Sequence, residues 1–160
     1  MKILTMAAAL SAAISGSASA QGCVDSTDRN VVIIENGTRF EVPMMLRYSA
    51  RIGSRDLHNS AGVRLMTTAV ILQQDRANYH KSGRADASGP FRDGPDGYFT
   101  TLARRTQISQ AHIYYECWMS ARQVHDFEVN LHNAEIPGVV DVAVFQHPNG
   151  GLGLALSQVD

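Results

Sequence analysis

Cys23 and Cys117 are the only cysteines in this chain, and whether they bond decides much of what the chain can fold into. The segment ahead of them bears on that question. Lys2 gives a short positive start, Ile3 to Ile14 is an apolar run, and Ala18-Ser19-Ala20 has the A-x-A form cut by signal peptidase. Residues 1–20 therefore read as a secretory signal peptide, leaving 21–160 as a single domain in the periplasm or outside the cell. In an oxidising compartment two cysteines tend to pair. A bridge closing so long a loop contributes about 4–5 kcal/mol in the chain-entropy description. It also turns Cys117 from a candidate nucleophile into half of a staple. No lipoprotein-type Leu-[Ala/Ser]-Gly-Cys sequence surrounds Cys23.

Charge narrows the partners. The leading segment holds Lys2 and no acid, so its removal takes the formal net charge from −1 to −2. That balance argues against nucleic acid or an anionic membrane surface as the main partner. No later apolar run approaches the roughly 20 residues that span a bilayer. A protein or a small ligand remains.

Local patterns predict an α+β fold: an N-terminal β-hairpin and one long helix packed on an antiparallel meander sheet. Asn36-Gly37 suits a two-residue type I′ turn. It pairs Glu35 with Thr38, Ile33 with Phe40 and Val31 with Val42. Asn36-Gly37-Thr38 is also a glycosylation sequon, which the turn explains equally well. Pro43 either ends the second strand or marks an edge. Arg47, Arg51 and Arg55 recur every four residues, a basic helical stripe if that segment were helical and a solvated loop otherwise. The helix is predicted over 61–80, capped by Asn59 or Ser60. Its apolar side carries Val63, Leu65, Met66, Ala69, Val70, Leu72, Ala77 and Tyr79, with Asp75 opposite. Residues 81–97 form a Gly/Pro/Asp loop, and 98–108 lean to helix. Strands are then predicted at 111–119, 124–132, 139–145 and 152–157. Gly153, Ala155 and Ser157 in the last would admit another backbone or a ligand. In architecture alone this resembles several small exported α+β folds, cystatin-like ones included, and such folds host unrelated functions.

Candidate chemistry is sparse. Gln73, Arg76 and His80 interrupt the apolar side of the helix. As a site they would form a polar pocket between helix and sheet, with His80 as acid/base, Arg76 as anion anchor and Asp75 or Glu128 in support. The alternatives are a buried structural network, with Glu128, Glu116 or Asp141 pairing Arg76, or a guanidinium that snorkels to water. In the loop, Asp86, Arg92, Asp93 and Asp96 are the first-choice binding residues. Calcium on Asp86, Asp93 and Asp96 is conceivable, although the spacing does not fit an EF-hand. No other cofactor or metal is expected. His125 and His132, on one strand, would face opposite ways and share no metal. Asp126, Glu128, Asn130 and His132 would line one wetted strand face. No Gly-x-Ser-x-Gly or phosphate loop is present. The reading is an exported, non-enzymatic binding module of inhibitor, accessory or ligand-carrier type. The rival is a small hydrolase or lyase using His80 and Arg76.

Overall fold

The computed structural model describes residues 22–26, 29–82 and 92–159. The predicted signal segment and all of residues 83–91, Asp86 included, lie outside them. Six strands, β1 (Gly22–Ser26), β2 (Asn30–Glu35), β3 (Thr38–Ala50), β4 (His112–Tyr115), β5 (Val139–Gln146) and β6 (Leu152–Val159), form one sheet in the order β1-β2-β3-β5-β6-β4. All pairings are antiparallel except β4 with β6. Three helices accompany them: α1 (Thr68–Ser82), α2 (Leu102–Ile108) and α3 (Ala121–Asn133).

The hairpin has the register that its turn dictates: Glu35↔Thr38, Ile33↔Phe40 and Val31↔Val42. Asn36 and Gly37 both adopt positive φ, at 50° and 76°, as a type I′ turn requires. Pro43 does not end β3. The ladder to β2 stops at Asn30↔Pro43 and the ladder to β5 starts at Met44. The missing N–H of Pro43 therefore falls where β3 exchanges one neighbour for another.

At the same handover a bulge at Met45 shifts the register between Met44↔Phe145 and Leu46↔Val144. One extra residue turns the following side chains over. Phe40, Val42 and Met44 thus pack with Val24, Val31, Ile33, Tyr114 and Phe145 on one face of the curled sheet. Leu46, Tyr48 and Ala50 pack with the helices on the other. A single even-numbered apolar series serves two cores.

The edges β1 and β4 nearly meet, so the sheet is barrel-like. Val24 and Glu116 form a parallel bridge, Cys117 donates its N–H to Val24 O at 2.8 Å, and Ser26 Oγ donates to Glu116 Oε1 at 2.5 Å. The expected disulfide Cys23–Cys117 crosses this seam with a Cα–Cα distance of 4.9 Å. It covers the edges that an open sheet would leave unpaired, and it suggests an oxidising, extracytoplasmic compartment. Among the described residues no helix is long and apolar enough to cross a membrane.

Several expectations are corrected. The long helix starts at Thr68 rather than 61. Asn59 does cap, but it caps a turn: its Oδ1 accepts from the N–H groups of Ala61 and Val63, and Gly62 has a φ of 77°. The residues ahead of Thr68 therefore skewed the helical face. Val63 and Met66 are exposed, while Ile71 and Asp75 are buried. Arg47, Arg51 and Arg55 share no helix; Arg47 ends up in β3, and the other two follow it.

The predicted strand over 124–132 is helix α3, so the sheet is not a simple meander. Ser120 and Gln123 form a capping box at its start. Phe127 and Leu131 are its buried stripe, a spacing of four that the alternation of His125, Phe127, Val129 and Leu131 disguises. The strand expected over 111–119 is only His112–Tyr115. The space beside Gly153 is taken by the Phe145 ring. A Cβ there would come within 2.1 Å of the Phe145 ring.

Replacing both Cys23 and Cys117 by alanine should lower the unfolding free energy by about 2–5 kcal/mol, as loss of a native bridge does in small exported domains. Urea denaturation of the double variant measures it, and unchanged stability would mean that the seam holds without the bridge.

Candidate functional site

Helix α1 buries an ion cluster. Its inward stripe is Thr68, Ala69, Ile71, Leu72, Asp75 and Arg76, the last with no solvent exposure. An arginine so placed must find partners for every donor it can. Its Nε donates to Asp75 Oδ2 at 2.7 Å. Its Nη1 donates to Gly94 O at 2.9 Å and Asp96 Oδ2 at 3.2 Å. Its Nη2 lies 3.5 Å from Asp93 Oδ1. The guanidinium is held between the rings of Tyr48 and Tyr79, 4.4 and 4.6 Å from their centroids, a cation–π sandwich. His80 closes the outer side, with Nε2 at 2.9 Å from Asp96 Oδ2.

The acids expected on strands do not pair with Arg76: Glu128 accepts from Tyr115, Glu116 from Ser26, and Asp141 pairs with Arg47. Asp93 and Asp96 come instead from the Gly/Pro/Asp loop, which is sewn to the fold. Asp93 Oδ1 accepts the Arg51 N–H at 2.7 Å, and Gly94 donates to Ser49 O at 2.7 Å. Asp96 Oδ1 accepts from Tyr98 at 3.1 Å and Phe99 at 2.6 Å. Burial tends to raise Asp96, but the Phe99 N–H, His80 and Arg76 outweigh it and hold the carboxyl below its usual value. Burial pushes Asp75 well above the usual value, with Arg76 opposing. One cation among three carboxylates, buried and hydrogen-bonded, is a scaffold first.

The structure thus unites Asp75, Arg76, His80, Asp93 and Asp96. Gln73 is half-buried and joins no contact of the cluster among the described residues. Arg92 is exposed, and Glu128 belongs elsewhere, accepting the Tyr115 hydroxyl at 2.6 Å. Any calcium bound to Asp93 and Asp96 would have to displace a guanidinium. Among the described residues no three His, Cys, Asp or Glu side chains are placed to hold a metal. On α3, His125 and His132 lie seven residues apart, which is about 10 Å along the axis. They are too distant to share an ion, for a reason other than the strand geometry expected. His132 turns inward to Thr68 Oγ1 at 3.1 Å.

A second cluster lies where Tyr114 meets the ends of β2 and β5. His147 Nδ1 accepts the Asn149 N–H at 3.1 Å, which assigns the proton to Nε2. Nε2 then donates to the Tyr114 hydroxyl at 2.7 Å, which donates to Glu35 Oε1 at 3.2 Å. His112 stacks on the His147 ring at 4.0 Å. Burial, and after it the adjacent His112, lower the His147 pKa, Glu35 opposing. Burial raises the Tyr114 hydroxyl to about 12, with Glu35 adding to the shift. No local sequence pattern announces this relay, because its members come from three strand ends.

The third feature is a groove of about 300 Å³ lined by Trp118, Met119, Gln123, Asp126, Phe127, Asn130 and Gln158. Trp118 is 68% exposed on a short turn fixed at both ends. Cys117 before it is bridged, and Ser120 after it caps α3. Trp118, as the chain's one tryptophan, was a signal available in the sequence, masked by its assignment to a strand. No protein family, curated protein or solved structure matches the chain, so the site must speak through its own chemistry.

Two outcomes follow. Arg76→Met leaves three carboxylates without their cation and should cost about 3–5 kcal/mol of stability, whereas Lys81→Met on the exposed end of α1 should change it by under about 0.5 kcal/mol. Urea titration of both variants tests this; equal, small effects would demote the cluster. The second concerns pH. Burial lowers His132 and His147 below their ordinary value, so the native state favours their neutral forms. Their contribution is whole above the unfolded value of about 6.5 and is lost as pH falls toward the native values. The chain should therefore lose stability relative to a His132→Gln, His147→Gln variant on going from about pH 7 to 5, and a pH-independent difference would refute it.

Proposed function

We propose that this chain is an exported binding module of the periplasm or cell exterior, acting through the Trp118 groove. The observation that carries the reading is a large aromatic side chain left in solvent on a turn that is rigid on both sides. Exposed tryptophans on ordered surfaces are the residue type most enriched where binding energy concentrates. The groove volume also falls at the lower end of that of small-ligand sites. Asp93 and Asp96, first choices for contact on sequence grounds, turn their carboxylates inward to Arg76. The described end of their loop is therefore part of the scaffold, and deleting 84–96 would test folding rather than binding.

The rival hydrolase or lyase reading has one contact in its favour, the His80–Asp96 hydrogen bond, which would orient an acid/base imidazole. Its anion anchor is enclosed, however, since Arg76 offers no surface to a substrate. The two readings separate by experiment. A photoreactive residue is placed at Asp126 in the groove, or at the exposed Arg39, in cells exporting the chain. Adducts formed at position 126, absent at position 39 and lost with Trp118→Ala, are expected. Equal labelling at both positions, or none, would refute the groove as the working surface.

A further inference from the structure

We infer that the Trp118 groove takes a short neutral carbohydrate, one or two pyranose rings long. This rests on the binding-module reading. The argument starts from what the groove can offer a ligand. Trp118 presents an indole face that makes no ring or cation contact among the described residues. An amphipathic aromatic of this kind provides apolar area with little loss of side-chain freedom. The C–H-rich face of a pyranose is a flat, weakly apolar partner for such a surface. Met119 and Phe127 supply the remaining apolar lining.

The polar lining decides the class. Three of its four polar side chains are amides, Gln123, Asn130 and Gln158. The Gln123 carbonyl oxygen is committed to the Ser120 N–H at 2.9 Å and hydroxyl at 2.8 Å. Its Nε2 therefore points a donor away from the cap, with its orientation already fixed. An amide supplies both donors and acceptors, the pairing that vicinal hydroxyls require. The only charged lining residue is Asp126; Arg122 Nε stands 3.7 Å from it on the preceding turn, both side chains largely in solvent. With a carboxylate as its only lining charge, the groove has no attraction for a phosphate or sulfate. A quaternary ammonium is held best by several aromatic faces around it, whereas Phe127 is buried and only the Trp118 indole stands in solvent. A volume of about 300 Å³ accommodates a monosaccharide with room for part of a second ring.

The test uses the exported, disulfide-bonded chain and the emission of Trp118, with chitobiose and cellobiose as neutral probes and choline as the cationic control. A saturable blue shift with a Kd below about 10 mM is expected for at least one disaccharide and none for choline. By calorimetry, Asn130→Ala should weaken that binding by about tenfold, with unchanged thermal unfolding. Saturation by choline alone, or no response to either disaccharide, would overturn the carbohydrate assignment. If photo-labelling at position 126 persists in cells in that case, the binding-module reading stands and only its ligand class falls.

Discussion

A guanidinium with no access to water organises the larger of the two cores. Arg76 cannot stay buried unless its charge is met, and the chain meets it by folding a Gly/Pro/Asp segment back against β3. Three elements thereby become interdependent. Helix α1 carries the cation and Asp75. Strand β3 supplies Tyr48 beneath the guanidinium, with Ser49 O and the N–H of Arg51, just past the strand's end, fixing the returning segment. That segment supplies Asp93 and Asp96, and Asp96 in turn starts the turn that leads to Phe99. A buried network of this kind adds little net energy over an apolar core, but losing one member is severe. Its effect is to fix one docking of loop on helix.

The other organising constraint is the bulge at Met45. Without it the even-numbered apolar residues of β3 would all face one way. With it, Met44 and Leu46 diverge, and one strand lines both the interior of the curled sheet and the layer beneath the helices. The curled sheet then brings β1 against the end of β4, where the disulfide and Glu116 hold the seam. The turn carrying Trp118 emerges directly from that seam. The fixed position of that turn is a consequence of barrel closure.

Features encoded by adjacent residues were legible. Asn36-Gly37 specifies the hairpin register because both residues tolerate positive φ, and the segment around Leu102 reads as helix. The cysteine pair was legible through compartment chemistry. Helix α3 was not, because His125, Phe127, Val129 and Leu131 alternate as a strand would. The contrary signal, Ser120 three residues before Gln123, was present and is the capping-box pattern. At the site, Arg76 and His80 on an otherwise apolar helix side marked the unusual face, which Gln73 does not join. The partners of Arg76 were hidden, since an acid separated by a loop leaves no periodic trace. The Glu35–Tyr114–His147 relay was hidden for the same reason, and Trp118 because its turn was read as strand.

Hydrogen exchange at the returning segment tests the central role of Arg76 most directly. The amide protons of Arg51, Gly94, Tyr98 and Phe99, together with the Arg76 Nε proton, should exchange only through the same global opening as the β5 amides, since each is held inside the network. Exchange of these protons at the rate of an exposed loop, while β5 stays protected, would contradict it.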